Sequence, residues 1–205
     1  MKPAILNVCS QGKQKYMCPA VGTIQNNRER IFMEQQAKKQ IAQSIQDFQL
    51  PLYTEIPNVG LFLEQTTKFV SEYFATMPGI TITSSMISNY VKKGLVHNPI
   101  KKQYYRDQIA HIIFIAVAKT VLPLENIQRM IRLQEKDYSD QGAYEYFCLE
   151  FHNILQYVFG VTDTLEPLGE KETDEKLLLR NTIFSVSYKL YLDKCFEYLN
   201  LPAGK

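Results

Sequence analysis

The sequence predicts a nearly all-α chain, broken once by a small basic hairpin. Three observations predict it. Apolar residues recur at helical spacing along most of the 205 residues. Strand and turn signals are confined to a short stretch after Gly94. Charge is segregated around that stretch. Residues 1–82 hold 8 basic and 6 acidic residues, residues 83–106 hold 5 and 0, and residues 107–205 hold 10 and 15. A formal net charge of +2 therefore hides a basic segment followed by an acidic half.

Residues 1–26 lack periodicity and are rich in Gly, Gln, Asn and Lys, which predicts a poorly ordered arm. From Arg28 to Phe48, Ile31, Ile41, Ile45 and Phe48 make a narrow apolar stripe in a polar, Gln-rich background, as in an amphipathic helix. Leu50-Pro51 and Ile56-Pro57 then break the chain, because the residue before a proline avoids helical angles. Leu61 to Phe74 predicts a helix whose apolar face is Phe62, Thr66, Phe69, Val70 and Tyr73, ended by Met77-Pro78-Gly79. Thr83 is a natural N-cap for a helix over 84–93, and Gly94 stands where a C′ glycine belongs, with Leu95 behind it. Asn98-Pro99 and Lys101-Lys102 read as the tip of a hairpin returning through Gln103 to Tyr105.

Arg106 to Val121 is apolar on most sides and predicts a buried helix. Pro123 suits the N1 position of the next helix, which turns Leu124, Ile127, Met130 and Ile131 inward. The polar stretch EKDYSDQG marks a boundary. Two more helices follow, Ala143 to Phe159 and Thr173 to Leu199, joined by an acidic linker. The predicted organisation is an arm over 1–26, a helix-turn-helix unit with its preceding helix over 27–136, and a helical C-terminal domain over 137–205.

The helix over 84–93 carries the functional signal. Met86, Ile87, Tyr90 and Val91 pack inward. Ser85, Ser88, Asn89 and Lys92 share the opposite face, which is small, polar and free of carboxylates. Small side chains let a helix approach base edges. Asn can bond adenine in a bidentate way, and Lys reaches phosphate or guanine. With the basic hairpin behind it, the arrangement points to a winged helix-turn-helix on double-stranded DNA. The helix and its cap would span 83–93 and the wing 96–105. Candidate contacts are Thr83, Ser84, Ser85, Ser88, Asn89, Tyr90, Lys92, Lys93, Lys101, Lys102, Tyr104 and Arg106.

TSSMISNYVKKGLV, a basic turn, YYRDQIAHIIFI and LPLENIQRMI together resemble the DNA-binding domain of MerR-type transcriptional regulators. The matching positions are Tyr90, Gly94, Leu95, Tyr104, Ile109, Ile112, Leu124 and Ile127. The chain is more similar still to an uncharacterised bacterial family of MerR-like proteins. That family's pattern includes Leu50-Pro51 and Pro57, then Thr83 to Lys92, then Lys101 to Tyr104. The resemblance covers about Leu50 to Leu199 and implies a MerR-like winged helix-turn-helix and a role in transcription regulation. Where MerR recognition helices usually hold an Arg and a second aromatic, this chain has Ser88 and Asn89, so a phosphate clamp gives way to an amide.

Other chemistry finds little footing. His97, His111 and His152 are isolated in sequence, and Cys9 and Cys18 lack a zinc spacing. Cys148 and His152 are four apart, but the aromatics around them read as core. No phosphate loop, nucleophile elbow or HExxH motif occurs. The expectation is a protein that is not an enzyme, with no metal, no cofactor and no catalytic residue. The N-terminus lacks the apolar core of a signal peptide and no run is long enough to span a membrane, so the expected compartment is the cytoplasm. The aromatic C-terminal stripes (Tyr144, Phe147, Phe151, Leu155 and Val158; Leu177, Phe184, Tyr188, Tyr191, Cys195 and Leu199) serve as core, as a homodimer interface, or as a pocket for an unknown small-molecule effector. An adaptor that keeps the fold and reads a protein partner is the rival expectation.

Overall fold

The computed structural model describes residues 26–77, 79–167 and 173–198, with side chains in the first helix described from residue 35 onward. The arm over 1–26, with Cys9 and Cys18, lies almost wholly outside the described residues, as do Pro78 and Leu199 and the side chain of Ile31. Among the described residues the chain is mainly α, with seven helices and a two-stranded sheet. They are α1 (Asn26–Gln43), β1 (Leu61–Phe62), α2 (Leu63–Tyr73), α3 (Ser84–Lys92), β2 (Gln103–Tyr104), α4 (Arg106–Ala118), α5 (Leu124–Gln134), α6 (Asp140–Val158) and α7 (Asp174–Tyr198).

Helix α1 stops at Gln43, five residues before the expected end. Turns carry its stripe onward, so that Ile41, Ile45 and Phe48 are all buried as their spacing requires. The proline-bounded connector holds a short 3₁₀ turn, Tyr53–Glu55, and drops Ile56 into the core. The expected helix from Leu61 begins two residues late. Leu61 and Phe62 are instead a strand, antiparallel to Tyr104 and Gln103. Phe62 consequently leaves the apolar face assigned to it and is 52% exposed. The Gln65 side chain accepts the Phe62 N–H at 2.9 Å and starts α2 there.

Helix α4 is the axis of the molecule. Ile109, Ile112, Ile113, Ile115 and Ala116 are completely buried, and the helix is packed by α2, α6 and α7. Pro123 caps α5 from the position before the N1 place expected of it. Ser139 caps α6 through a 3.2 Å bond from the Gly142 N–H, so that helix begins three residues earlier than its apolar pattern. One buried cluster runs from Ile41 to Leu190, across the α5–α6 turn. Tyr144, Phe147, Phe151 and Leu155 all belong to it. The one fully buried carboxylate in the described core, Glu150, is matched by Arg180 of α7 at 3.0 Å and by the Tyr146 hydroxyl at 3.3 Å. Among the described residues, no helix is long and apolar enough to cross a membrane.

Candidate nucleic-acid interface

Helix α3 is bounded as its sequence demands. The Thr83 hydroxyl accepts the Met86 N–H at 3.3 Å. At the other end Gly94 takes φ 69°, its N–H bonds Val91 O at 3.0 Å, and the Leu95 N–H bonds Tyr90 O at 2.9 Å. This crossed pair is the Schellman ending, and it turns Leu95 and Val96 back into the core. Helix α5 supports the same end. The Gln128 amide donates to Lys93 O at 2.8 Å and to Gly94 O at 3.3 Å.

The two faces separate as the spacing predicts. Ile87 and Tyr90 are buried and Met86 and Val91 half-buried, while Ser85, Ser88, Asn89 and Lys92 are exposed. Ser88 donates to Ser84 O at 2.9 Å, so its proton is held by its own helix while its lone pairs stay open. Ser84 is only partly exposed and lies 3.0 Å from the Thr67 hydroxyl, tying α3 to α2. Lys93 pairs with Glu125 at 3.1 Å. That carboxyl is held below its usual range first by its own backbone N–H and then by Lys93.

The hairpin is tighter than its sequence suggests. Ile100 and Gln103 exchange both backbone bonds, at 3.0 and 2.9 Å, leaving only Lys101 and Lys102 in the loop. These two lysines have φ 51° and 65°. Positive φ at both central residues is the requirement of a two-residue type I′ turn, normally met by Asn-Gly. Asn98-Pro99 is therefore not at the tip but on the approach to it. Among the described residues the side chains of Lys92, Lys101 and Lys102 have no hydrogen-bond or ion-pair partner, and all three residues are exposed. Across the sheet, Ile100, Gln103 and Phe62 form one cross-strand row on the outer side, and Tyr104 with Leu61 forms the inner row.

Gln108 seats the hairpin. Its carbonyl accepts the Tyr105 N–H at 2.9 Å, and its amide donates to His97 O at 2.9 Å and Asn98 O at 3.1 Å. A single buried side chain thus starts α4 and holds the hairpin base against it.

Three expected contacts take other places. Tyr90 and Tyr104 are 2% and 4% exposed, so they shape the surface from beneath and do not lie on it. The Tyr90 hydroxyl is buried without a hydrogen-bond partner, and burial pushes its pKa up to about 12. Arg106 is a strap: Nε donates to Ile56 O at 2.7 Å, Nη2 to Thr54 O at 3.2 Å, and the guanidinium lies 5.4 Å from the centre of the Tyr53 ring. Tyr53 itself bonds Asp107, and burial first, then that carboxylate, pushes its phenol up to about 12. The structure adds one cation that the sequence did not single out. Lys119, at the end of α4, brings Nζ to 2.9 Å from Met86 Sδ on α3, and burial lowers its pKa.

Of the remaining candidates, His97 and His152 are exposed, and Cys148 is half-buried, which pushes its thiol up to about 12. Among the described residues no group of three or more His, Cys, Asp or Glu could hold a metal ion. Residues 51–147, a little under half of the chain, match the family model described as a domain of unknown function, DUF1836. The matched stretch contains α3, the hairpin and the helices that seat them. No curated protein and no solved structure matches the chain.

Proposed function

We propose that this chain is a DNA-binding transcriptional regulator, in which β1, α2, α3 and the hairpin work as a MerR-like winged helix-turn-helix. The observation that carries the reading is the hairpin tip. Two unpaired lysines occupy backbone positions that cost an L-residue strain and that Asn-Gly would fill more cheaply. Strain kept at an exposed pair of cations fits a requirement for charge at that spot. Helix α3 would lie in the major groove, with Ser85, Ser88 and Asn89 toward base edges and Lys92 toward phosphate. Lys101 and Lys102 would hold the flanking backbone. Thr83, Ser84 and Lys93 position the helix, and Tyr90, Tyr104 and Arg106 support the surface from behind.

The regulator reading includes a homodimer. Tyr188, Leu192 and Phe196, four residues apart on α7, are each 52–54% exposed, and Leu177 and Leu178 extend the apolar surface. A second copy covering this stripe would give the two-fold symmetry that palindromic sites require. A cytoplasmic location belongs to the same reading.

The adaptor reading draws on a different observation. Ile100, Phe62 and Val59 are 60, 52 and 68% exposed beside the hairpin, and apolar exposure of that kind suits a protein partner. Fluorescence anisotropy with a labelled duplex at low salt separates the two. The regulator binds with a steep salt dependence; a protein without affinity for any duplex under those conditions refutes the reading. Sequencing the DNA recovered with the tagged protein then identifies the sites.

A further inference from the structure

We propose that the cleft between α4, α5, α6 and α7 is a binding site for a neutral, largely apolar small molecule that presents a carbonyl-type hydrogen-bond acceptor. It is a cleft that opens to solvent at its mouth. Phe114, Leu133, Phe147 and Leu179 are among its apolar walls. A mostly apolar cleft with a few placed polar groups is the usual form of a small-molecule site.

One buried donor on the wall, with a histidine beside it, calls for an acceptor. The Gln134 Nε2 is buried without a hydrogen-bond partner. The His111 Nε2 is buried beside it, with Asp140 Oδ1 3.3 Å away. Buried donors left without partners are rare in folded proteins, and the Gln134 amide is one on this lining. The charges on the wall argue against an anion. Asp140 and Glu175 outnumber the one fixed cation of the lining, Lys176, which lies 5.2 Å from the centre of the Tyr146 ring, while Lys136 acts on Glu175 from outside the lining. A carboxylate ligand would meet a net negative wall, whereas a ketone, ester or amide would accept from Gln134 and His111 without that repulsion.

Helix α4 links this cavity to the candidate interface. His111 and Phe114 line it within two turns of Gln108, whose amide grips the hairpin base. Control of DNA binding by an occupant of the cavity rests on the regulator reading; ligand binding itself does not.

The test therefore uses the full chain without DNA. The probe is prodan, a neutral naphthyl ketone whose emission shifts to the blue in apolar surroundings. Saturable binding at one probe per chain, with a blue shift, is the expected result. Ala143→Trp fills the cavity from α6 and should abolish binding, and Leu178→Trp does so from the half-exposed rim of α7, where folding is less at risk. Circular dichroism checks that each variant is folded. Gln134→Leu should weaken binding roughly tenfold. In competition, 2-acetylnaphthalene should displace prodan and 2-naphthoate should not. The proposal is overturned if the wild type shows no saturable binding, or if both folded Trp variants bind prodan as the wild type does. Unchanged affinity in Gln134→Leu, or equal displacement by 2-naphthoate, overturns the assigned ligand chemistry.

Discussion

Replacing Lys101 by Asn and Lys102 by Gly should make the protein more stable and a poorer DNA binder in a single step. Both lysines sit at positive φ, 51° and 65°. An L-residue there incurs roughly 1–2 kcal/mol of steric cost. Gly is free of that cost, and Asn tolerates the region better than Lys. Against this, Gly enlarges the freedom of the unfolded chain by about 0.4–1 kcal/mol. The double exchange should therefore stabilise by about 1 kcal/mol, which for a chain of this size raises Tm by roughly 2–4 °C. No side-chain contact of either lysine is lost, since neither side chain has a partner among the described residues. Removing the two proposed phosphate contacts should also flatten the plot of log affinity against log salt by about 1.8. Calorimetry reads the first effect and anisotropy across a salt series the second. A Lys101→Gln/Lys102→Gln control keeps the backbone cost and loses the charge, so it should weaken binding equally with no gain in Tm. An Asn-Gly variant that melts no higher would refute the strain argument. One that binds duplex with unchanged affinity and slope would refute the role of the tip.

Gly94→Val should lower stability by roughly 1–2 kcal/mol and weaken DNA binding together. Its Cβ would meet only the Gln128 amide, at 3.5 Å, so the loss is conformational and Gly94→Asn should recover most of it in the same melting assay. Asn89→Ala should cost about 1–3 kcal/mol on the preferred site and much less on random duplex, measured by paired anisotropy titrations; equal losses would make Asn89 a positioning residue only. Light scattering should give twice the 23.8 kDa chain mass, and Leu192→Glu should return the protein to a monomer. A monomeric wild type at tens of micromolar would end the dimer reading.

Local chemistry made α3 legible. The Thr83 cap, the apolar positions Ile87 and Tyr90, and the Gly94 ending each depend on neighbours within a few residues, and each is found where the spacing puts it. What depended on distant partners was not legible. Leu61 and Phe62 are too short a strand to show alternation, and their partners lie about forty residues on. Arg106 looked like a free cation because its acceptors, Thr54 O and Ile56 O, sit some fifty residues upstream. Tyr90 and Tyr104 stand at contact positions in the sequence, yet their rings complete the core. The turn centred on Lys101 and Lys102 carries neither Gly nor Asn, so nothing in its composition announced positive φ. The cavity gathers side chains from four helices and has no signature along the chain.

The completeness with which α4 is enclosed has a consequence for synthesis. Helix α4, with Ile109, Ile112, Ile113 and Ile115 fully buried, is packed in part by α7, which ends eighty residues after α4 does. Pro51 likewise waits for Tyr144, whose hydroxyl reaches its carbonyl at 3.0 Å, and Ile45 waits for Gln156. At translation rates of about 5–20 residues per second, the nascent chain carries an isoleucine-rich helix without its final cover for roughly 4–16 s. During that interval the exposed helix is a natural target for holding chaperones. Slowing the ribosome between residues 119 and 198 should lower the soluble yield while leaving the stability of the finished protein unchanged.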